Sequence, residues 1–228
     1  MKISAIIIPN GCTRVLLHAC CAPCSSAIVE WLLAHQIEPV IYYFNPNIYP
    51  REEYEICKNE SKRHAESLGI TWIDDDRRGS GAETPCSYGH EEWLQAVTGL
   101  EHEPERGRRC EACFYHRLLA TARKAKELRI SFFATTLASS RWKNLEQINA
   151  AGEAAAKAVN DEMSATLNDA TSLPNDVAFW AQNWRKDGLQ ERRNALLKEY
   201  GFYNQLYCGC EFSMARNMGS MDGASPTA

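Results

Sequence analysis

Several things are missing from this chain, and each absence narrows the reading. No apolar stretch has the length of a membrane span: the early run Ala5-Ile-Ile-Ile8 stops at Pro9, where a crossing needs about 20 residues. The first residues also lack the longer apolar segment and small-residue cleavage site of a secretory signal, so the expectation is a cytoplasmic protein without a membrane partner. Net positive charge is absent too. A formal net charge of −4 argues against general nucleic-acid binding. No internal repeat and no linker divides the 228 residues. One α/β domain over residues 1–213 is therefore expected, monomeric, with a disordered tail over 214–228.

Cysteine, by contrast, is plentiful. Ten cysteines in a chain read as cytoplasmic do not form a disulfide framework, because cytosolic thiols are kept reduced. They more often bind metal or carry redox chemistry. Three of them crowd into Cys20-Cys21-Ala-Pro-Cys24. Adjacent cysteines make a poor disulfide but suit a site where two thiolates converge on one inorganic centre. Basic residues gather at 106–109, 141–143, 185–186 and 192–193, flanking most of the polar motifs below. A local basic face and scattered solvated charge both remain open.

Apolar periodicity alternates between strand and helix. Strands are expected at 14–19, 39–44, 70–73, 131–137 and 177–184. Helices are expected at 25–35, 52–68, 91–100, 109–128, 142–159 and 187–200. The long helix at 109–128 should bury Phe114, Leu118, Ala122 and Ala125. Pro23 suits a first helical turn, and Gly69 a helix end. The alternation implies right-handed crossovers and a parallel sheet. Residues 74–88 read as a polar, mobile insertion, and residues 160–176 as a loop or poorly ordered insert.

Cys20-Cys21-x-x-Cys24 falls at the carboxyl end of the first strand, where open α/β sheets bind ligands. A helix N-terminus there should lower thiol pKa. Cys110-x-x-Cys113 opens the longest helix in a similar setting. Together the two turns supply enough sulfur for zinc or an iron–sulfur cluster. A zinc staple fits the adjacent pair poorly, because zinc ligands usually stand two to four residues apart. A dithiol exchange motif at Cys21-Ala-Pro-Cys24 leaves Cys20, Cys110 and Cys113 without roles. Cys208-Gly-Cys210 can form a small strained, labile disulfide or offer two thiolates to a metal. Cys12, Cys57 and Cys86 read as structural or incidental, and His18 as a satisfied core histidine. His116 and Arg117 could face the cysteines, with Arg117 the better substrate contact. Asn45, Asn47, Thr135, Thr136, Arg141, Lys143, Asn183 and Arg185 lie at strand ends or in the loops after them and could hold phosphate and ribose, with aromatics of the same segments, Trp142 among them, for base stacking.

With these residues collected, the chain resembles the QueH-type epoxyqueuosine reductases. The likeness runs through His18-Ala-Cys-Cys-Ala-Pro-Cys24, Tyr43-Phe-Asn-Pro-Asn47 and Gly99-Leu-Glu-His-Glu-Pro-Glu-Arg-Gly107. It continues in Arg109-Cys-Glu-Ala-Cys-Phe114, Thr135-Thr-Leu137, Arg141-Trp-Lys-Asn144, Asn183-Trp-Arg-Lys186 and Tyr207-Cys-Gly-Cys210. The resemblance implies a Rossmann-like parallel sheet flanked by helices, akin to the adenine-nucleotide α-hydrolase-like group. It implies reduction of epoxyqueuosine to queuosine at the wobble position of tRNA anticodons, fed by an unidentified electron donor. A [4Fe-4S] cluster on Cys20, Cys21, Cys110 and Cys113 goes with it, as does a redox role for Cys208 and Cys210. So does an additional mononuclear iron, for which Cys24, Cys208 and Cys210 are the candidate ligands. The competing expectation is a zinc-stapled, non-catalytic tRNA-binding module. Residues 74–88 and 160–176 are longer than the family pattern leads one to expect.

Overall fold

The computed structural model describes residues 6–76, 87–166 and 176–214. Five strands form one parallel sheet in the order β3-β2-β1-β4-β5. They are β1 (Arg14–His18), β2 (Glu38–Tyr43), β3 (Trp72–Asp74), β4 (Phe132–Thr135) and β5 (Ala178–Phe179). Parallel strands buried on both faces read as near-continuous apolar runs. Accordingly Val15, Leu16 and Leu17 are fully buried, each contributing about 1.5–3 kcal/mol by leaving water. Leu17 lies between Ile41 of β2 and Ala134 of β4 in register.

The helices are α1 (Ala22–Ala34), α2 (Arg51–Ser67), α3 (His90–Ala96), α4 (Arg108–Glu127), α5 (Leu145–Thr166) and α6 (Leu189–Glu199), with one 3-10 turn at Thr136–Ser139. Helix α1 packs on α2 and α6, while α4 packs on α5 and α3, so the sheet is flanked by helices. Pro23 occupies the first turn of α1. Gly69, just past α2, takes a φ of +66°, a left-handed torsion that favours glycine. Helix α4 buries Phe114, Leu118, Ala122 and Ala125, the stripe expected from their spacing. Among the described residues no helix is long and apolar enough to cross a membrane.

Two expectations need correcting. Helix α5 runs to Thr166, past the loop expected from residue 160. The Asn160 side chain pairs with both backbone groups of Val177, accepting from N–H at 3.1 Å and donating to C=O at 3.1 Å. Its polarity serves a tertiary contact instead of a turn. The fifth strand is only two residues long. Trp180 and Trp184 fold back to pack edge-on against one another and around Trp31 of α1. Their apolar character is spent on the helical layer, not on the sheet. Of the expected insertion at 74–88, Asp74 belongs to β3, and Asp74 and Asp76 pair with Lys58 at 2.7 and 2.5 Å. Tyr88 is buried. Residues 77–86, with Cys86, lie outside the described residues, as do 167–175 and 215–228.

Candidate metal and redox site

Strand order reverses between β1 and β4, since β1 leads through α1 to β2 while β4 leads through α5 to β5 on the other side. A crevice opens outside the carboxyl ends at such a reversal. Here it is a cavity of about 740 Å³. Cys20, Cys21 and Cys24 reach it from the β1–α1 turn, Cys110 from the first turn of α4, and Cys208 from the segment after α6.

A buried polar frame fixes the turn. His18, fully buried, places Nε2 3.1 Å from the Phe44 carbonyl and Nδ1 2.8 Å from the Thr135 hydroxyl. Since a carbonyl only accepts, Nε2 carries the proton and the Thr135 hydroxyl donates to Nδ1. That hydroxyl also accepts from the Leu137 N–H at 3.1 Å. The ends of β1, β2 and β4 are thus tied by one imidazole, which is a satisfied core histidine as expected. Burial, with the Arg117 charge adding to it, lowers its pKa to about 3. Asn45 donates to the Ala19 carbonyl at 2.9 Å and accepts from Arg117. Asn45 therefore faces the frame, while Arg117 lines the cavity with its Nε unpartnered.

The sulfurs of Cys20, Cys21 and Cys24 all lie within 4.8 Å of one another. The Thr136 hydroxyl accepts from the Cys20 N–H at 3.0 Å and donates to Cys20 Sγ at 3.2 Å. Hydrogen bonds from Cys21 and Cys24 hold the Cys20 pKa well below the ordinary thiol value, against burial and with help from Lys143 and Thr136. Sharing those bonds raises Cys21 well above it and pushes Cys24 up to about 12. Burial pushes Cys110 up to about 12 as well, with Cys208 and Cys113 adding to it. Lowering by a helix N-terminus is not seen at Cys21, Cys24 or Cys110, and at Cys20 the lowering comes chiefly from hydrogen bonding by the neighbouring thiols.

Cys113 and Cys210 do not line the cavity. They are buried together with Trp93 and Val97 beside it. Cys208 and Cys210 are free thiols on a segment docked over the turn after β2. Tyr49 N donates to the Gly209 carbonyl at 2.8 Å, and the Tyr207 hydroxyl donates to the Tyr49 carbonyl. Gly209 has a φ of +99°, and a Cβ there would stand 3.2 Å from Asn47 Nδ2. Glycine is what lets this segment lie against Asn47, whose Oδ1 is buried without a partner.

Lys143 lines the cavity, and no carboxylate partner for it occurs among the described residues. Burial opposes its charge, yet Cys208, Cys20 and Cys24 outweigh that and hold its pKa above the ordinary lysine value. The other predicted substrate residues divide. Arg141 and Asn47 line the cavity. Thr135 and Thr136 are buried in the frame just described. Asn183 and Arg185 stand behind: Asn183 accepts from the Arg185 N–H at 3.1 Å, and Arg185 Nη2 donates to the Lys143 carbonyl at 2.8 Å. His116, half-buried, lies tilted against Phe44 with ring centroids 5.8 Å apart and is not on the cavity. Cys12 and Cys57 are buried away from it. Arg106 and Leu206 also stand on the rim without having been singled out from the sequence, beside Trp142, whose loop reads as offering an aromatic for base stacking. The basic run at 106–109 was a signal for the first, whereas nothing in the periodicity marks Leu206.

A parallel sheet of this order, with thiols assembled at its switch point, defines a Rossmann-like α/β protein with a sulfur-rich site suited to metal or redox chemistry. The family model described as "Epoxyqueuosine reductase QueH" matches residues 15–216. The chain is 39% identical to the protein of that name from Haemophilus influenzae over 207 residues, 91% of this chain and 74% of the relative. To that from Acinetobacter baylyi it is 39% identical over 207 residues, 91% and 83% of the two chains. It belongs to the epoxyqueuosine reductase QueH family, a family of oxidoreductases.

Proposed function

We propose that this chain reduces the epoxide of epoxyqueuosine to the alkene of queuosine at the wobble position of tRNA anticodons, the last step of queuosine biosynthesis. The observation that carries this reading is the convergence of Cys20, Cys21, Cys24, Cys110 and Cys208 on one cavity in a chain of this family. The donors on the cavity suit a [4Fe-4S] cluster: Cys20, Cys21 and Cys110 are half-buried thiols, Cys113 is buried one turn further along α4 beside the cavity, and the half-buried ammonium of Lys143 offsets thiolate charge. Cys20, Cys21, Cys110 and Cys113 would hold the cluster, and Cys24, Cys208 and Cys210 are the candidate ligands of an adjacent iron. Bound there, such groups supply single electrons and a Lewis acid.

The remaining roles belong to side chains. Removing the epoxide oxygen as water takes two electrons and two protons. The Cys208 and Cys210 thiols release that number of each on closing to a disulfide, and an electron donor outside the chain reopens it. Lys143 Nζ donates a hydrogen bond to the departing oxygen. Arg117 Nε and Asn47 Oδ1, both unpartnered, bind the nucleoside. Arg106 and Arg141 at the rim meet backbone phosphates, which position without reading sequence.

The test is mass analysis of tRNA nucleosides after anaerobically purified protein is incubated with reductant and tRNA bearing epoxyqueuosine. Queuosine is the expected product. Unchanged epoxyqueuosine beside a colourless, zinc-loaded protein that still binds tRNA would support the zinc-stapled module instead.

A further inference from the structure

Trp142 is the exception among the tryptophans. Trp93, Trp180 and Trp184 are buried and Trp31 and Trp72 partly so, whereas Trp142 is 74% exposed. Tryptophan is highly buried on average, because its large ring gains most from leaving water. An exposed ring on a loose loop would need no explanation, but this backbone is held on both sides. Arg106 Nε donates to the Trp142 carbonyl at 2.8 Å, and the Ser140 hydroxyl accepts from the Trp142 N–H at 3.3 Å. Arg185 holds the next carbonyl, that of Lys143, and Gln147 in turn holds the Arg106 carbonyl at 2.8 Å. The structure fixes the main chain and leaves the indole uncovered.

The ring lines the same cavity as the cysteines, on a rim that also carries Arg106 and Arg141 and the 88% exposed Leu206. A volume of about 740 Å³ falls in the range of single small-molecule sites and cannot admit a folded RNA arm. A nucleotide that reaches the thiols must therefore leave its stack, as targets of base chemistry do. Its neighbour in the loop then loses a stacking partner at the rim, beside two guanidinium groups suited to phosphate.

We infer that Trp142 is the stacking platform for the unpaired base next to the nucleotide inserted in the cavity, and so a specificity-determining residue for RNA over free nucleoside. This rests on the tRNA reading above. Trp142 touches no thiol chemistry, so its contribution is to RNA affinity and not to the rate of the bound substrate. Base–aromatic stacking of the ordinary strength corresponds to about 5- to 150-fold in affinity.

The test is a binding cycle with unmodified anticodon stem–loop RNA, intact or carrying one abasic site on either side of the wobble position. Trp142→Ala is expected to weaken binding of the intact RNA by about 5- to 150-fold. Trp142→Phe keeps most of the affinity, and the urea midpoints of both variants match the wild type. One abasic RNA should bind the wild type as weakly as the intact RNA binds Trp142→Ala, with little further loss on combining the two. Unchanged affinity in Trp142→Ala, losses that multiply independently, or a wild type that binds no stem–loop would each overturn the proposal. The cycle uses no epoxide, so a failure of the reaction reading appears separately, as absence of queuosine with binding intact.

Discussion

The Thr136 hydroxyl closes a two-way bridge to Cys20, accepting from its N–H at 3.0 Å and donating to its sulfur at 3.2 Å. One side chain just past β4 thereby sets both the backbone and the thiol of a residue just past β1. Thr136→Val keeps the shape and removes both bonds, leaving a buried N–H unpaired at a cost of about 1–3 kcal/mol. Thr136→Ser keeps the hydroxyl. The valine variant is expected to lose stability in urea unfolding and to bind substoichiometric iron, with the serine variant near wild type in both.

Asn45 and Asn47 stand two residues apart and should separate stability from binding. Asn45 is fully buried between the Ala19 carbonyl and Arg117. Asn45→Ala strands a carbonyl and a buried guanidinium and should destabilise the fold by about 2–4 kcal/mol. Asn47 has an unpartnered Oδ1 on the cavity. Asn47→Ala should leave the urea midpoint nearly unchanged and raise KM for the modified tRNA.

His64 of α2 is buried edge-on between Tyr200 and Phe202, with ring centroids 5.1 Å away in each case. Burial lowers its pKa. In the unfolded chain it takes up a proton near pH ~6.5, while the folded chain resists. Its contribution is therefore complete above that pH and is lost as pH falls below it. His18 has the same sign, with a folded value of about 3. Unfolding free energy should fall on going from neutral to mildly acidic pH. In His64→Gln that slope should be shallower by up to about 1.4 kcal/mol per pH unit.

Much of this was legible in the sequence, for physical reasons that differ by element. Short apolar runs separated by amphipathic ones could only be a parallel sheet with helical crossovers, and Phe114, Leu118, Ala122 and Ala125 announced the buried face of α4. Cys20, Cys21 and Cys24 were conspicuous because adjacent thiols have few structural uses. What periodicity could not carry was decided in tertiary space. Asn160 is polar yet helical because Val177 satisfies its amide. Trp180 and Trp184 are apolar yet not strand because Trp31 receives them. Thr135 and Asn45 resembled ligand-binding residues but hold the frame. Helix N-termini are expected to lower the thiols, yet hydrogen bonds among Cys20, Cys21 and Cys24, with burial, decide their pKa.

If cysteines from two distant turns act on one inorganic centre, as proposed above, replacing one of them disables it and replacing a cysteine elsewhere does not. Cys110 lies at the cavity, whereas Cys57 is buried in a separate cluster with Tyr43, Ile48, Tyr54 and Tyr88. Each is replaced by serine, and each protein is purified anaerobically. Iron content, visible absorbance and conversion of epoxyqueuosine in tRNA are then measured together. Iron, broad visible absorbance and queuosine formation are expected in the wild type and in Cys57→Ser, and the loss of all three in Cys110→Ser; iron and turnover kept in Cys110→Ser would refute a shared centre.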